Sequence, residues 1–256
     1  LDVLVDEPDV SPLAVQGPRA DDLLAAVLGD AVRGKGPFEG LPQDQLRIIA
    51  PLLPSPVALM VAKDSGITSI TDLKGRKVAW GFPAQASLQP YVIGVLANGG
   101  LTADDVTKVP VTSVGAGVAA LIDGKVDATL FALRAGKVVE ADAALDGIAW
   151  LPLDDDPEAV ARMQAVAPEA YVLPVSGDAG VVGIGSDTLV MAYDYVLVGR
   201  AGLDDETVAK IATTLRDNAN GIAAKYKVLS ALTPEALGRS YDLPHHPAAQ
   251  AVLGSE

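Results

Sequence analysis

The 256-residue chain has no cysteine, two histidines, 4% aromatic residues and a shortage of positive charge. Lys and Arg number 19 against 33 Asp and Glu, a formal net charge of −14. Each shortage excludes something. Without cysteine there are no disulfides, thiolate metal sites or cysteine nucleophiles, a usage that suits an oxidising compartment. The acidic balance argues against nucleic acid as a partner, because phosphate binding needs clustered Lys and Arg. It also disfavours docking on anionic lipid. No run of about 18 apolar residues occurs, so no membrane insertion is expected. What the chain does have is aliphatic bulk. Half of it is hydrophobic, so its core is expected to be built mainly from Ala, Val and Leu. The length allows one large domain or two lobes of roughly 120 residues each.

Strand-like and helix-like segments alternate. Residues 12–16 read as a strand that breaks at Gly17-Pro18, followed by a helix over 21–32 with Leu24, Val27, Leu28 and Val32 on one face. Residues 46–53 and 57–63 read as two buried strands separated by Pro54-Ser55-Pro56. A strand over 78–81, a helix over 88–97 and a Gly99-Gly100 stop come next. Thr102 to Asp105 has capping-box form for a short helical turn. Strands are expected at 106–111, 126–131 and 148–153, with a helix over 117–122. Asp156-Pro157-Glu158 has the order of an N-cap, a first-turn proline and a dipole-matched acid. Beyond the glycine-rich 177–185 come a strand or helix at 189–198, a helix at 204–218 and a last helix opened by Thr233-Pro234-Glu235. This alternation predicts an α/β fold with mainly parallel sheets. Val3, Leu4 and Val5 read as strand directly after Leu1, so the natural chain is expected to begin further upstream.

Enzyme signatures are missing: no G-x-S-x-G elbow, H-E-x-x-H, phosphate-loop or kinase pattern is present. Gly183-Ile184-Gly185-Ser186-Asp187-Thr188 lacks the third glycine of a dinucleotide fingerprint and reads as a connection. His245 and His246, followed by Pro247, are poor metal ligands, since neighbours in extended chain point to opposite faces. They suit a surface turn or a structural role. Asp154-Asp155-Asp156 lacks the spaced oxygens and glycine of a calcium loop and reads as a solvated run that caps the next helix. No metal or cofactor is expected, and no carboxylate pair stands out as catalytic.

Three features point to a ligand. The loop Pro83, Ala84, Gln85, Ala86 and Ser87 follows a strand and feeds a helix, a place where bare backbone N–H groups can meet an anion. It can equally be a plain turn. Gln16 and Gly17 end a strand with a neutral amide that suits a polar ligand or a backbone partner. At Phe131 and Arg134 an apolar strand ends in an aromatic and then a guanidinium, which can pair a carboxylate bidentately or stay solvated. All three sit at the C-terminal ends of expected parallel strands, where open α/β sheets bind ligands.

With these positions laid out, the chain resembles the TAXI family of TRAP-transporter solute receptors. The matching pieces are Leu13-Ala14-Val15-Gln16, Gly36-Pro37-Phe38-Glu39-Gly40 with Leu46-Arg47, the long run from Asp64-Ser65-Gly66-Ile67 to Asp72-Leu73-Lys74-Gly75, Leu121-Ile122-Asp123-Gly124-Lys125-Val126-Asp127-Ala128, and His246-Pro247-Ala248-Ala249. Two departures stand beside them. The family's glycine-rich opening segment is missing, and its "PGSGT" loop reads Pro83-Ala84-Gln85-Ala86-Ser87 here.

The resemblance implies a two-lobed type II periplasmic-binding-protein fold. Lobe one would be 1–67 with 176–256, lacking its usual first strand and helix, and lobe two 68–175. It implies an extracytoplasmic, periplasmic receptor that holds a small anionic or zwitterionic metabolite between the lobes and delivers it to membrane-embedded TRAP permease subunits. The first ligand class would be an acidic amino acid such as glutamate, or an organic acid. Gln16 and Gly17 would contact it from one side, and Ala84 to Ser87, Phe131 and Arg134 from the other. The rival readings are an enzyme of transferase or dehydratase type on the same fold, a ligand-sensing domain of a regulator, and the binding protein of an ABC importer.

Overall fold

A computed structural model describes residues 45–225, 229, 231–239 and 244–254. The expected strand at 12–16, the helix at 21–32, the Gln16-Gly17 pair and the Phe38-Glu39-Gly40 piece lie outside the described residues. Pro54-Ser55-Pro56 separates no strands, because the chain runs as one strand, β1 (Leu46–Ala62), straight through it. Proline's fixed φ fits extended backbone and costs the ladder only its own N–H. There follow β2 (Lys77–Gly81), α1 (Gln89–Asn98), β3 (Thr107–Val111), α2 (Val114–Ile122), β4 (Thr129–Ala132), α3 (Gly136–Ala144) and β5 (Ile148–Trp150). Then come α4 (Pro157–Gln164), β6 (Tyr171–Val175), β7 (Thr188–Arg200), α5 (Asp205–Lys225), α6 (Pro234–Leu237) and α7 (Pro247–Leu253). The sequence did not announce α3. It opens on Gly136, its N-cap Ala135 offers no side-chain acceptor, and only Val138 and Ala141 are buried along it. Thr102 to Asp105 makes a turn and no helix; the Asp105 carboxylate accepts from the Thr102 N–H (2.9 Å) and hydroxyl (2.8 Å).

The strand directions follow from the pairings. β2 and β3 pair in parallel, Lys77 opposite Thr107 through Gly81 opposite Val111. A parallel bridge joins Val78 to Ala128, just ahead of β4. β4 and β5 both run antiparallel to β1, with Met60 facing Thr129 in one ladder and Trp150 in the other. So β2, β3, β4 and β5 share a direction in the order β3-β2-β4-β1-β5, and β1 alone is reversed. The fold is mixed α/β, and the parallel character expected from sequence resides in those four strands. β1 is also neighbour to β7, which pairs antiparallel with β6.

The chain separates into two compact units. One is Ser55–Tyr193; the other holds the described residues of 45–54 and 194–254. The passages between them fall inside the uninterrupted strands β1 and β7. In the first unit, Val57 to Val61 are all buried, as befits a strand with neighbours on both edges. Helix α1 is fixed at both ends. Tyr91 stacks on Tyr193 with ring centroids 4.4 Å apart and donates to Glu169 Oε1 at 2.7 Å; burial, reinforced by that carboxylate, holds its pKa above the usual tyrosine range. At the other end Arg162 of α4 donates to the carbonyls of Ala97 (3.0 Å) and Asn98 (2.8 Å), satisfying groups a helix C-terminus leaves open.

In the second unit α5 and α7 close over Ile49, Val208, Ala212 and Ala249. The His246 N–H donates to the Ile48 carbonyl at 2.9 Å, and its ring is 3% exposed with Nε2 3.1 Å from the Leu203 oxygen. Of the two uses considered for this residue, the structural one holds.

Two of the motifs that carried the family resemblance do structural jobs. The Asp72 carboxylate accepts from the backbone N–H of Thr68 and of Ser69, each at 2.9 Å, and from both hydroxyls, closing a capping box. These bonds, the Thr68 N–H first, hold its pKa below the ordinary 3.8. A depressed carboxylate stabilises the fold above its unfolded-state pKa, and that contribution is lost as pH falls through the lower folded value. Asp72→Asn is therefore expected to lower Tm at neutral pH and to flatten the fall of Tm with acid below about pH 4. Thermal melts across that range check it; an acid limb as steep as the wild type's would mean Asp72 contributes nothing. In the second motif the Asp127 carboxylate accepts the Lys77 N–H at 2.7 Å where β2 begins.

Candidate functional site

β2 ends at Gly81, whose φ of +96° is one that residues with a Cβ rarely adopt. Phe82 follows at φ 41°, ψ 57° in the left-handed region, which costs a non-glycine residue about 1–2 kcal/mol. Its side chain is 0% exposed, and full burial of a phenylalanine returns roughly 1.5–3 kcal/mol, so the anchor offsets the strain. The chain then makes the short 3-10 run Pro83–Leu88, broken at Gln85 (φ −138°, ψ 55°). The loop's main chain is largely occupied. The Ala84 N–H donates to the Thr112 carbonyl (3.1 Å) and the Gln85 N–H to the Phe82 carbonyl (2.7 Å). The Gly81 N–H donates to Gln89 Oε1 at 2.7 Å. Of the free amides expected across Ala84 to Ser87, those of Ala84 and Gln85 are thus engaged, because the turn closes on itself and on the end of β3.

The loop meets a second element at this edge that the sequence reading did not use. Ser113 caps α2, its hydroxyl accepting the Ala116 N–H at 3.0 Å, and Gln85 Oε1 accepts the Val114 N–H at 3.2 Å. Gly115 is the member of this first turn whose N–H has no partner among the described residues. A serine two residues past an expected strand is the cap signal that could have found it. Ser87 is exposed, and its hydroxyl has no partner among the described residues.

Arg134 follows β4, the neighbour of β2, at the same C-terminal edge of the shared-direction strands. It is exposed, and Nη2 donates to the Ala179 carbonyl at 3.5 Å. It stands two residues before α3, whose first turn carries no acid. Phe131 is a correction. It was expected to line a ligand wall, but it is 0% exposed, opposite Ala58 in the β1–β4 ladder. Thr129, Leu130 and Phe131 are buried in succession, so both faces of β4 are covered and the ring lies in the core. Pro83, Ala84, Gln85, Ala86, Ser87 and Arg134 remain at one edge of one unit. Gln16 and Gly17 lie outside the described residues.

A cavity of about 630 Å³ lies elsewhere, beside Lys63, Asp142, Gly147 and Gly183, at the edge where β5 begins. Among the described residues no three His, Cys, Asp or Glu stand together to hold a metal ion, and no helix is long and apolar enough to cross a membrane.

A family model described as the NMT1-like family matches residues 23–254. The chain belongs to the NMT1-like family. A 32-residue stretch is 78% identical to the dimethylsulfoniopropionate demethylase DmdA of Ruegeria pomeroyi, covering 12% of this chain and 9% of that protein. Among solved structures, this NMT1-like chain is similar to a protein of R. palustris with adipate, at 18% identity over 74% of this chain and 60% of that one, TM-score 0.44. It is similar to MatC of Rhodopseudomonas palustris with bound malate, at 18% identity over 77% and 64%, TM-score 0.43. It is also similar to the alkanesulfonate-binding protein SsuA of Xanthomonas axonopodis pv. citri bound to MOPS, at 18% identity over 75% and 57%, TM-score 0.36. The chain thus spans less than two thirds of each of these proteins.

Proposed function

We propose that this NMT1-like protein is an extracytoplasmic solute receptor that binds a small carboxylate and delivers it to a membrane permease of the TRAP type. The observation that carries the reading is a convergence at one sheet edge. The loop Pro83 to Ser87, with its exposed Ser87 hydroxyl, follows β2, and the exposed Arg134 follows β4, where these shared-direction strands end. The TAXI resemblance supports the TRAP-type partner and the periplasmic setting, and puts an acidic amino acid such as glutamate, or an organic acid, first for testing. The division into lobes 1–67 with 176–256 and 68–175 belongs to the same proposal. The role is binding, not turnover.

A helix start contributes about 0.3–2 kcal/mol toward an anion, whereas micromolar affinity needs about 8 kcal/mol. Several donors must therefore act together, and blocking one crowded point should be enough to lose the ligand. Carboxylates screened by thermal shift are expected to raise Tm through linkage, by about 2.7 kcal/mol of added stability at a ligand concentration 100 times Kd. Ser87→Trp is expected to lose that response while keeping the ligand-free Tm. If the variant responds as the wild type does, the Pro83 to Ser87 loop is not the site.

A further inference from the structure

We infer that the cavity beside Lys63 is a binding site of its own, for a small zwitterion with an aliphatic body, the chemistry of an aliphatic amino acid. The site does not depend on the carboxylate reading, because it lies at the other end of the strands. Gly81 and Arg134 stand at the C-terminal ends of β2 and β4. The cavity instead gathers at Lys63, after the reversed β1, and at Ile148, where β5 begins.

The cavity measures about 630 Å³, within the roughly 300–1,000 Å³ of small-molecule sites. Hydrogen bonds tie its walls. The Lys63 N–H donates to the Gly147 carbonyl (3.1 Å), and the Gly147 N–H to that of Asp142 (2.8 Å). Asp142 Oδ1 accepts the Ile148 N–H at 3.0 Å. Across the cavity, Trp150 Nε1 donates to the Val182 carbonyl at 2.7 Å and fixes the chain that leads into Gly183 and Gly185. Asp146 and Gly147 turn through positive φ, 56° and 118°. A Cβ on Gly147 would stand 2.9 Å from Lys63 Cδ, so the lysine stem lies against a bare backbone.

Charges of both signs line this space without neutralising each other. Lys63 makes no ion pair among the described residues, and neither does Asp142 or Asp146. The second oxygen of Asp142 accepts no hydrogen bond among them. Ile148 and Ile184, both buried, add an apolar lining. A lone anion here would meet the two acids, and a lone cation would meet the lysine. A ligand with one charge of each sign satisfies both, its anionic group on Lys63 and its ammonium on the carboxylates.

Calorimetric titration of the full chain with L-leucine, isocaproate and isopentylamine tests it, the last two being leucine without its ammonium and without its carboxylate. Gly185→Phe fills the cavity. A Cβ at Gly185 meets nothing within 4 Å, so the ligand-free Tm should hold while leucine binding is lost. Within the binding that this variant removes, leucine is expected to be about tenfold or more tighter than either analogue. Lys63→Met keeps an unbranched stem over Gly147, and Asp146→Asn keeps a residue type that tolerates left-handed backbone. Each should weaken leucine by about tenfold or more. A wild type that does not bind leucine overturns the inference. So does a leucine response that persists in Gly185→Phe, or an analogue that loses as tight a site to that variant. The carboxylate response assigned to the Pro83 to Ser87 loop should be unchanged in all three variants, so either reading can fall without the other.

Discussion

Replacing Phe131 by alanine is expected to destabilise the Ser55–Tyr193 unit by about 3–5 kcal/mol. The side chain is 0% exposed and is enclosed with Leu59, Leu130 and Val118 in one core cluster, and its strand neighbours Leu130 and Leu133 are themselves buried, so the site has little freedom to collapse around the missing ring. Against a total stability of about 5–15 kcal/mol that is enough to leave the variant marginal. Urea titration should show the midpoint falling while the slope holds, since the surface exposed on unfolding hardly changes. Any protein that stays folded should answer carboxylates as the wild type does, because the ring has no face toward the loop edge. A variant with the wild-type midpoint and no ligand response would return Phe131 to the wall of the site.

That residue also shows where reading the sequence reaches its limit. Phe131-Ala132-Leu133-Arg134 reads correctly as the end of a strand near a positive charge. Leu130 and Phe131 point to opposite faces and are both buried, so what hides the ring is cover on both faces of the strand, which nothing within the segment announces. The loop before α1 was legible for the opposite reason. Gly81, Phe82 and Pro83 each declare a backbone preference locally: a positive φ, an apolar anchor and a helix opening. The bonds that decide the loop's chemistry were not legible, since Gln85 reaches Val114 and Gln89 reaches Gly81 across folds of the chain. The sequence reading starts α2 at Gly117 and leaves Val114 to Ala116 outside it. In the structure the helix begins at Val114, with packing overriding propensity. The reversed direction of β1 could not be read either, because its apolar run looks the same in either direction.

Gly117 itself carries the second large effect. It lies buried in α2, and a Cβ there would stand 2.4 Å from Thr129 Oγ1 and 3.3 Å from the Cβ of Ala79. Two effects compete in Gly117→Ala. The helix gains about 0.5–1 kcal/mol from the better helix former, while forcing volume into a filled core costs typically 1–3 kcal/mol. Since Ala79 and Thr129 sit in or beside β2 and β4 and cannot withdraw together, crowding is expected to win by about 1 kcal/mol. Gly117→Val adds two methyl groups at the same point and forfeits the propensity gain, so its cost is expected to reach about 3 kcal/mol or more. The Thr129 hydroxyl offers a way to prove the cause. It is buried with no hydrogen-bond partner among the described residues, so Thr129→Ala removes the closest obstacle without breaking a bond. Gly117→Ala combined with Thr129→Ala should therefore be more stable than the sum of the two changes by about 0.5–1 kcal/mol in a double-mutant cycle. Strict additivity would mean that Ala79, or the bulk of the helix–sheet contact, sets the limit. The same close approach seats Val114 and Gly115 beside the Pro83 to Ser87 loop, so a chain that carries valine here and still folds should also bind carboxylates more weakly.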